Sequence, residues 1–68
     1  MKQIYKAYWS TGNSYNMPGY EYTNLKTAIK EIKSICKGND TGSGCRVWID
    51  DIDGDTVYFA HVKNSRSG

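Results

Sequence analysis

Between residues 24 and 37 the apolar side chains Leu25, Ala28, Ile29, Ile32, Ile35 and Cys36 follow the i, i+3, i+4, i+7 spacing of a helix with one buried stripe. Thr23 or Asn24 stands where a side-chain oxygen can cap the first turn, and Gly38 where a left-handed residue commonly closes the last. The spacing is different elsewhere. Residues 2–9 are rich in aromatics and run into the turn formers Ser10-Thr11-Gly12-Asn13-Ser14, which predicts a strand followed by a loop. After the turn signal Pro18-Gly19, Tyr20-Glu21-Tyr22-Thr23 alternates as a short strand does, so the first two strands form a hairpin with a wide tip. Residues 38–44 are polar and Gly-rich and read as a connector.

Residues 45–51 and 55–62 are two β-prone runs around Ile52-Asp53-Gly54, and Asp-Gly between such runs is a hairpin signal. With Gly54 left-handed in a three-residue loop, Asp51 faces Asp55, Ile49 faces Val57 and Val47 faces Phe59. A two-residue turn instead pairs Ile49 with Tyr58 and Val47 with Ala60 and leaves Val57 and Phe59 outside, so the first register is preferred. The expected core is therefore Leu25, Ile29, Ile32, Ile35, Val47, Ile49, Val57 and Phe59. The fold class is α+β: a small antiparallel sheet with one helix packed on one face, in the order ββαββ, filling residues 1–62 as one domain, with 63–68 a flexible tail.

One helix covers one face of such a sheet, and the other remains open. The preferred register places Arg46, Trp48 and Asp50 on the open face beside Thr56, Tyr58 and Ala60, with Trp48 opposite Tyr58. In the first strand Tyr5, Ala7 and Trp9 point inward, because the opposite parity would bury Lys6; Lys6 and Tyr8 therefore point out. Aromatics interleaved with Lys and Arg resemble the stacking platforms of single-strand nucleic-acid binders, and equally suit a cross-strand pair that shields an open face. On the helix, Lys26, Lys30, Lys33 and Lys37 fall within an arc of about 60° beside the apolar stripe and form one ridge. Glu31 projects away from it, so no acid within the helix neutralises the ridge. Such a ridge suits phosphates or an acidic protein face, or simply solvates a helix built from good helix formers.

Charge sharpens this division more than it decides a partner. The net charge is +2, but residues 1–48 hold seven basic and three acidic groups and residues 49–68 two and four. Asp51-Ile52-Asp53-Gly54-Asp55 looks like the start of a calcium loop, yet no bidentate Glu or helix follows it, and the acids read as solvated turn carboxylates. Cys36 and Cys45 are expected as reduced core thiols of a cytoplasmic protein. With one His and two Cys there is no four-ligand zinc site without borrowed carboxylates, and His61 has no nucleophile near it in sequence. No catalytic residues, metal or cofactor are expected. No apolar run approaches the roughly 18 to 20 residues of a membrane span, and the first residues lack the apolar region of a signal peptide.

Met1-Lys2 with Tyr5 opening a strand, Leu25, Ala28, Lys30 and Ile32 on the helix, and Arg46-Val47, Ile49, Gly54 and Phe59-Ala60 in the last hairpin together resemble a family of small phage-encoded anti-CRISPR proteins that inhibit type I-F surveillance complexes. The resemblance spans most of the chain loosely and departs from it in residues 10–17, in the longer acidic turn and at the C-terminal end. It implies a non-enzymatic wedge, acting in the host cytoplasm, that binds a Cas backbone subunit and blocks target pairing, with surface lysines touching DNA.

A chain of this size offers no pocket with convergent polar groups for catalysis, so binding is the expected class. The leading expectation is a phage or mobile-element protein, monomeric or weakly dimeric, that inhibits a host nucleoprotein complex by occluding its nucleic-acid-binding surface. It would do so through Lys6, Tyr8, Lys26, Lys30, Lys33, Lys37, Arg46, Trp48 and Tyr58. A direct single- or double-stranded nucleic-acid binder and a structural interaction module are the alternatives.

Overall fold

The computed structural model describes residues 3–12, 14–39 and 44–62. The expected tail at 63–68 lies outside these residues, as do Asn13 and residues 40–43 of the connector. Strands β1 (Tyr5–Ser10) and β2 (Tyr20–Tyr22) precede helix α1 (Leu25–Asn39), and β3 (Cys45–Asp50) and β4 (Thr56–Val62) follow it. All pairings are antiparallel in the order β2-β1-β3-β4, so the strands flanking the helix in sequence, β2 and β3, both lie against β1. The fold is the expected α+β arrangement with α1 packed on one face of a four-stranded sheet.

The helix begins as its sequence indicates: the Thr27 N–H donates to Asn24 Oδ1 at 3.1 Å, and the Ala28 N–H to the Asn24 carbonyl at 2.9 Å. It ends differently. Gly38 keeps a negative φ and stays helical, and Asn39 donates its side-chain amide back to the Ile35 carbonyl at 2.9 Å. That side-chain bond satisfies one of the last-turn carbonyls a left-handed glycine cap would otherwise have served.

Ala28, Ile32 and Cys36 are fully buried against Ala7, Trp9, Cys45, Val47 and Ile49 of the central strands, while Leu25, Ile29 and Ile35 flank this core half-buried. Cys36 and Cys45 are joined as a disulfide with their Cα atoms 6.3 Å apart, which corrects the expectation of two reduced thiols. The periodicity that buries both cysteines is the cause: the helix stripe sets Cys36 down on the inward first residue of β3, within the usual Cα range of a bridge.

The last hairpin also departs from the preferred register. Its turn is as expected, with the Asp51 N–H donating to the Asp55 carbonyl at 2.8 Å, the Gly54 N–H to the Asp51 carbonyl at 3.0 Å, and Gly54 at φ 92°. Asp50 then faces Thr56, but Ile49 faces Tyr58, because Val57 is an extra residue opposite the Ile49–Asp50 step. The bulge reverses parity for the rest of β4, so that Val47 faces Ala60 and Trp48 faces Phe59. Val57 and Phe59, expected in the core, are 42% and 56% exposed. Tyr58, Ala60 and Val62 turn toward the helix instead. Tyr58 suits the margin of this small core, since its ring packs while its hydroxyl stays near water.

Candidate binding surface

Strand alternation and the observed register arrange the open face in three rows across the sheet. The middle row is aromatic: Tyr8 of β1 faces Trp48 of β3, which faces Phe59 of β4. The Tyr8 and Trp48 rings stack with centroids 5.5 Å apart and planes 12° from parallel, about the spacing of neighbouring strands. Gly19 adjoins the far side of Tyr8, where a Cβ would lie 2.9 Å from the ring and 2.8 Å from the Ala7 carbonyl oxygen. Tyr8 is thus held between a bare backbone and an indole, and Trp48 between a phenol and Phe59. Of the three rings Phe59 is the one more than half exposed.

The row toward the hairpin tip pairs Glu21 with Lys6, Lys6 with Asp50 and Asp50 with Thr56, whose hydroxyl donates to Asp50 Oδ1 at 2.7 Å. It borders a shallow concavity of about 320 Å³ in which Lys6 meets Glu21, Asp50 and Asp51, so charges of both signs share one wall. Asp51 Oδ1 already accepts the N–H groups of Asp53 and Asp55 at 2.9 and 3.0 Å, so the acidic tip serves its own turn. The third row, at the opposite end of the face, is Ser10, Arg46 and His61.

On the other layer, Lys26, Lys30, Lys33 and Lys37 are all exposed along α1. Lys33 Nζ lies 5.8 Å from the centroid of the Tyr58 ring, a cation–π contact that ties the ridge to the β4 margin. The Tyr22 phenol is raised above its usual range, first by its own burial and then by the charge of Glu31 and by Tyr20.

The nine candidate residues therefore fall on two surfaces. Lys6, Tyr8, Arg46 and Trp48 share the open face, whereas the four lysines stand on the helix layer. Tyr58 belongs with the lysines and not, as expected, beside Trp48; the bulge at Val57 exchanges it for Phe59. Phe59 and His61 are the surface residues that reasoning from strict alternation misses. Asn16 is missed for another reason. It is buried in the loop after β1, where its Nδ2 donates to the Ala7 carbonyl at 3.1 Å, its Oδ1 accepts the Trp9 N–H, and its own N–H donates to the Trp9 carbonyl at 3.1 Å. One side chain thus completes the edge of β1 beyond the end of the three-residue β2. No periodicity signals this, since a single Asn ahead of Met17-Pro18 reads as turn former only.

Among the described residues no three His, Cys, Asp or Glu side chains stand close enough to share a metal ion, and no helix is long and apolar enough to cross a membrane. The geometry is that of two outward surfaces, one aromatic and one cationic, on opposite sides of a thin body. No protein-family model, curated protein or solved structure matches the chain.

Proposed function

We propose that this chain is a non-enzymatic binding protein that seats its open sheet face on a protein subunit of a host nucleoprotein complex and so blocks that complex's nucleic-acid-binding surface. The observation that carries this reading is the aromatic row and the way its rings are engaged. Sequence-tolerant binding of single strands relies on ring faces open to bases. Here Tyr8 and Trp48 close their facing surfaces on each other, leaving edges and the Phe59 ring to meet a partner. Edges of Trp and Tyr beside an Arg are the composition of protein-interface anchors.

The lysine ridge supports the second half of the reading. A protein held by one face presents Lys26, Lys30, Lys33 and Lys37 on the other, where they compete for the phosphates or acidic groups that the partner's substrate would meet. Action in the cytoplasm would meet a reducing pool, but both sulfurs belong to residues at most 1% exposed, so exchange there is limited by access.

The test is retention of a host protein by the immobilised chain from nuclease-treated extract, in parallel with polarisation binding to single- and double-stranded oligonucleotides. Phe59→Ala and Trp48→Ala should each weaken the protein contact by at least about tenfold, as interface anchors do. Tight, salt-steep binding of oligonucleotides by the purified chain, with no protein retained after nuclease, would instead assign it as a direct nucleic-acid binder.

A further inference from the structure

The third row of the open face carries a feature beyond the contribution of Arg46 to docking. Ser10, Arg46 and His61 are consecutive register partners on three adjacent strands. They border a concavity of about 130 Å³ whose other walls include Thr11, Gly12 and Gly44. Arg46 and His61 are the ionisable side chains among its lining residues, and no described carboxylate joins them. In this it differs from the larger concavity at the hairpin tip, where Lys6 shares a wall with three acids. The volume is well under the roughly 300 Å³ at which small-molecule sites begin, so it admits a group and not a whole ligand.

We infer that this row is an oxyanion site that takes the phosphate of a nucleotide. A guanidinium in the centre supplies a planar fork of donors matched to phosphate oxygens, with an imidazole on one side and on the other the Ser10 hydroxyl, which would turn from its long 3.4 Å bond to the Thr11 carbonyl. Adjacent strands lie about 4.8 Å apart, so the three side chains can reach one tetrahedral group. Phe59 precedes His61 on the same face of β4, two residues or about 6.5 to 7 Å along the strand. That is a reach comparable to the one from a 5′-phosphate across the sugar to the base, and Phe59 is the ring with a free surface. The footprint is one phosphate and one base, in contrast to the extended track of a strand-binding groove.

The inference shares Arg46 and Phe59 with the docking surface but requires no protein partner, so its experiment uses the purified chain alone and can succeed or fail independently of docking. Backbone amide and Arg and His side-chain resonances are followed by NMR at constant ionic strength during titration with inorganic phosphate, adenosine 5′-monophosphate, adenosine and phosphotyrosine. Phosphate should give saturable shifts centred on Ser10, Arg46 and His61, with chloride giving none. The mononucleotide should bind at least threefold tighter than phosphate and also shift the Phe59 ring, while adenosine alone binds more weakly than either. Arg46→Ala should lower phosphate affinity at least tenfold and Arg46→Lys by less, both with otherwise native spectra, because Arg46 is exposed. Non-saturating shifts, or shifts spread along the helix lysines, would overturn the site. Phosphotyrosine binding as tightly as the mononucleotide would overturn the choice of a nucleotide.

Discussion

Replacing Asn16 with Ala should remove a large part of the stability of this protein, although the residue lies in a loop. The substitution deletes both side-chain bonds to β1 and leaves the Trp9 N–H without its partner. The Ala7 carbonyl loses its second donor but still faces Tyr20 in the β1–β2 ladder, and the backbone bond from the residue 16 N–H can persist. Trp9 is 7% exposed, so water reaches the orphaned N–H poorly. A buried donor left unsatisfied costs about 1 to 3 kcal/mol, which with the lost second bond to Ala7 and some relief from loop relaxation gives about 1.5 to 3 kcal/mol. A chain of this length has roughly 3 to 10 kcal/mol in total. The loss is therefore a large fraction of stability and should lower the melting temperature by more than about 6 °C. Urea unfolding followed by Trp fluorescence measures it, with an unchanged slope confirming that the folded state is otherwise the same. Asn16→Asp is the discriminating companion. It keeps an acceptor for the Trp9 N–H but sets a second carboxylate oxygen against the Ala7 carbonyl, which raises the carboxyl's folded pKa. A raised folded value means stability present at low pH and lost as pH rises, so the Asp variant should recover part of its deficit in acid. A loss under about 0.5 kcal/mol for Asn16→Ala, or no acid recovery for Asn16→Asp, would refute the role given to this side chain.

Gly19→Ala should cost about 1 to 3 kcal/mol by driving a methyl into the Ala7 carbonyl and the Tyr8 ring, and near-ultraviolet circular dichroism should report the disturbed Tyr8–Trp48 stack; an unchanged spectrum would deny the contact. Loss of the Cys36–Cys45 bond, by reduction or by Cys36→Ala with Cys45→Ala, opens a loop of about ten residues and should cost about 2.5 to 3 kcal/mol in urea unfolding, with a change below 1 kcal/mol counting against it. Because the Tyr22 phenol is raised in the folded state, unfolding favours its ionisation, so stability should fall as pH rises above about 10; Tyr22→Phe should flatten that decline, and an identical alkaline profile would contradict it. The double change Lys30→Glu, Lys33→Glu should cost no more than about 1 kcal/mol, since both residues are exposed and, among the described residues, only the Lys33–Tyr58 cation–π contact is lost, yet weaken partner binding severalfold at low salt; equal binding would leave the ridge a solvated face.

What the sequence made legible is what depends on local rules. The helix stripe, the Asn24 cap, the left-handed Gly54 and the inward parity of Tyr5, Ala7 and Trp9 each follow from a spacing or a residue's own backbone preference. The register of β4 does not. The turn signal correctly sets Asp51 against Asp55, but alternation carried past Thr56 assumes an uninterrupted ladder, and one extra residue at Val57 exchanges the two faces. Apolarity alone favours burial of Val57 and Phe59. The competing register buries Tyr58, Ala60 and Val62 beneath a helix that already supplies Ile29, Ile32 and Ile35, and a small core has no room for more. Four of the five candidates expected on the open face, Lys6, Tyr8, Arg46 and Trp48, therefore lie there, and the β4 contribution beyond Thr56 is shifted by one. Asn16 and the disulfide depend on how a loop folds back over seven to nine residues, about which hydrophobic periodicity is silent.

The sulfur bridge has a consequence for how the chain can be taken apart. It ties the last turn of α1 directly to the first residue of β3, so the peptide backbone between residues 36 and 45 is a second, redundant connection between the same two points. Cleave that backbone, and the piece holding β1, β2 and the helix stays linked to the piece holding β3 and β4, with the β1–β3 pairing and the core contacts still in register. The nicked protein would migrate as one species without reductant and as two with it. The same redundancy makes the segment a site for insertion, where an epitope or a fluorescent label can be spliced in without asking the inserted residues to hold the two halves together.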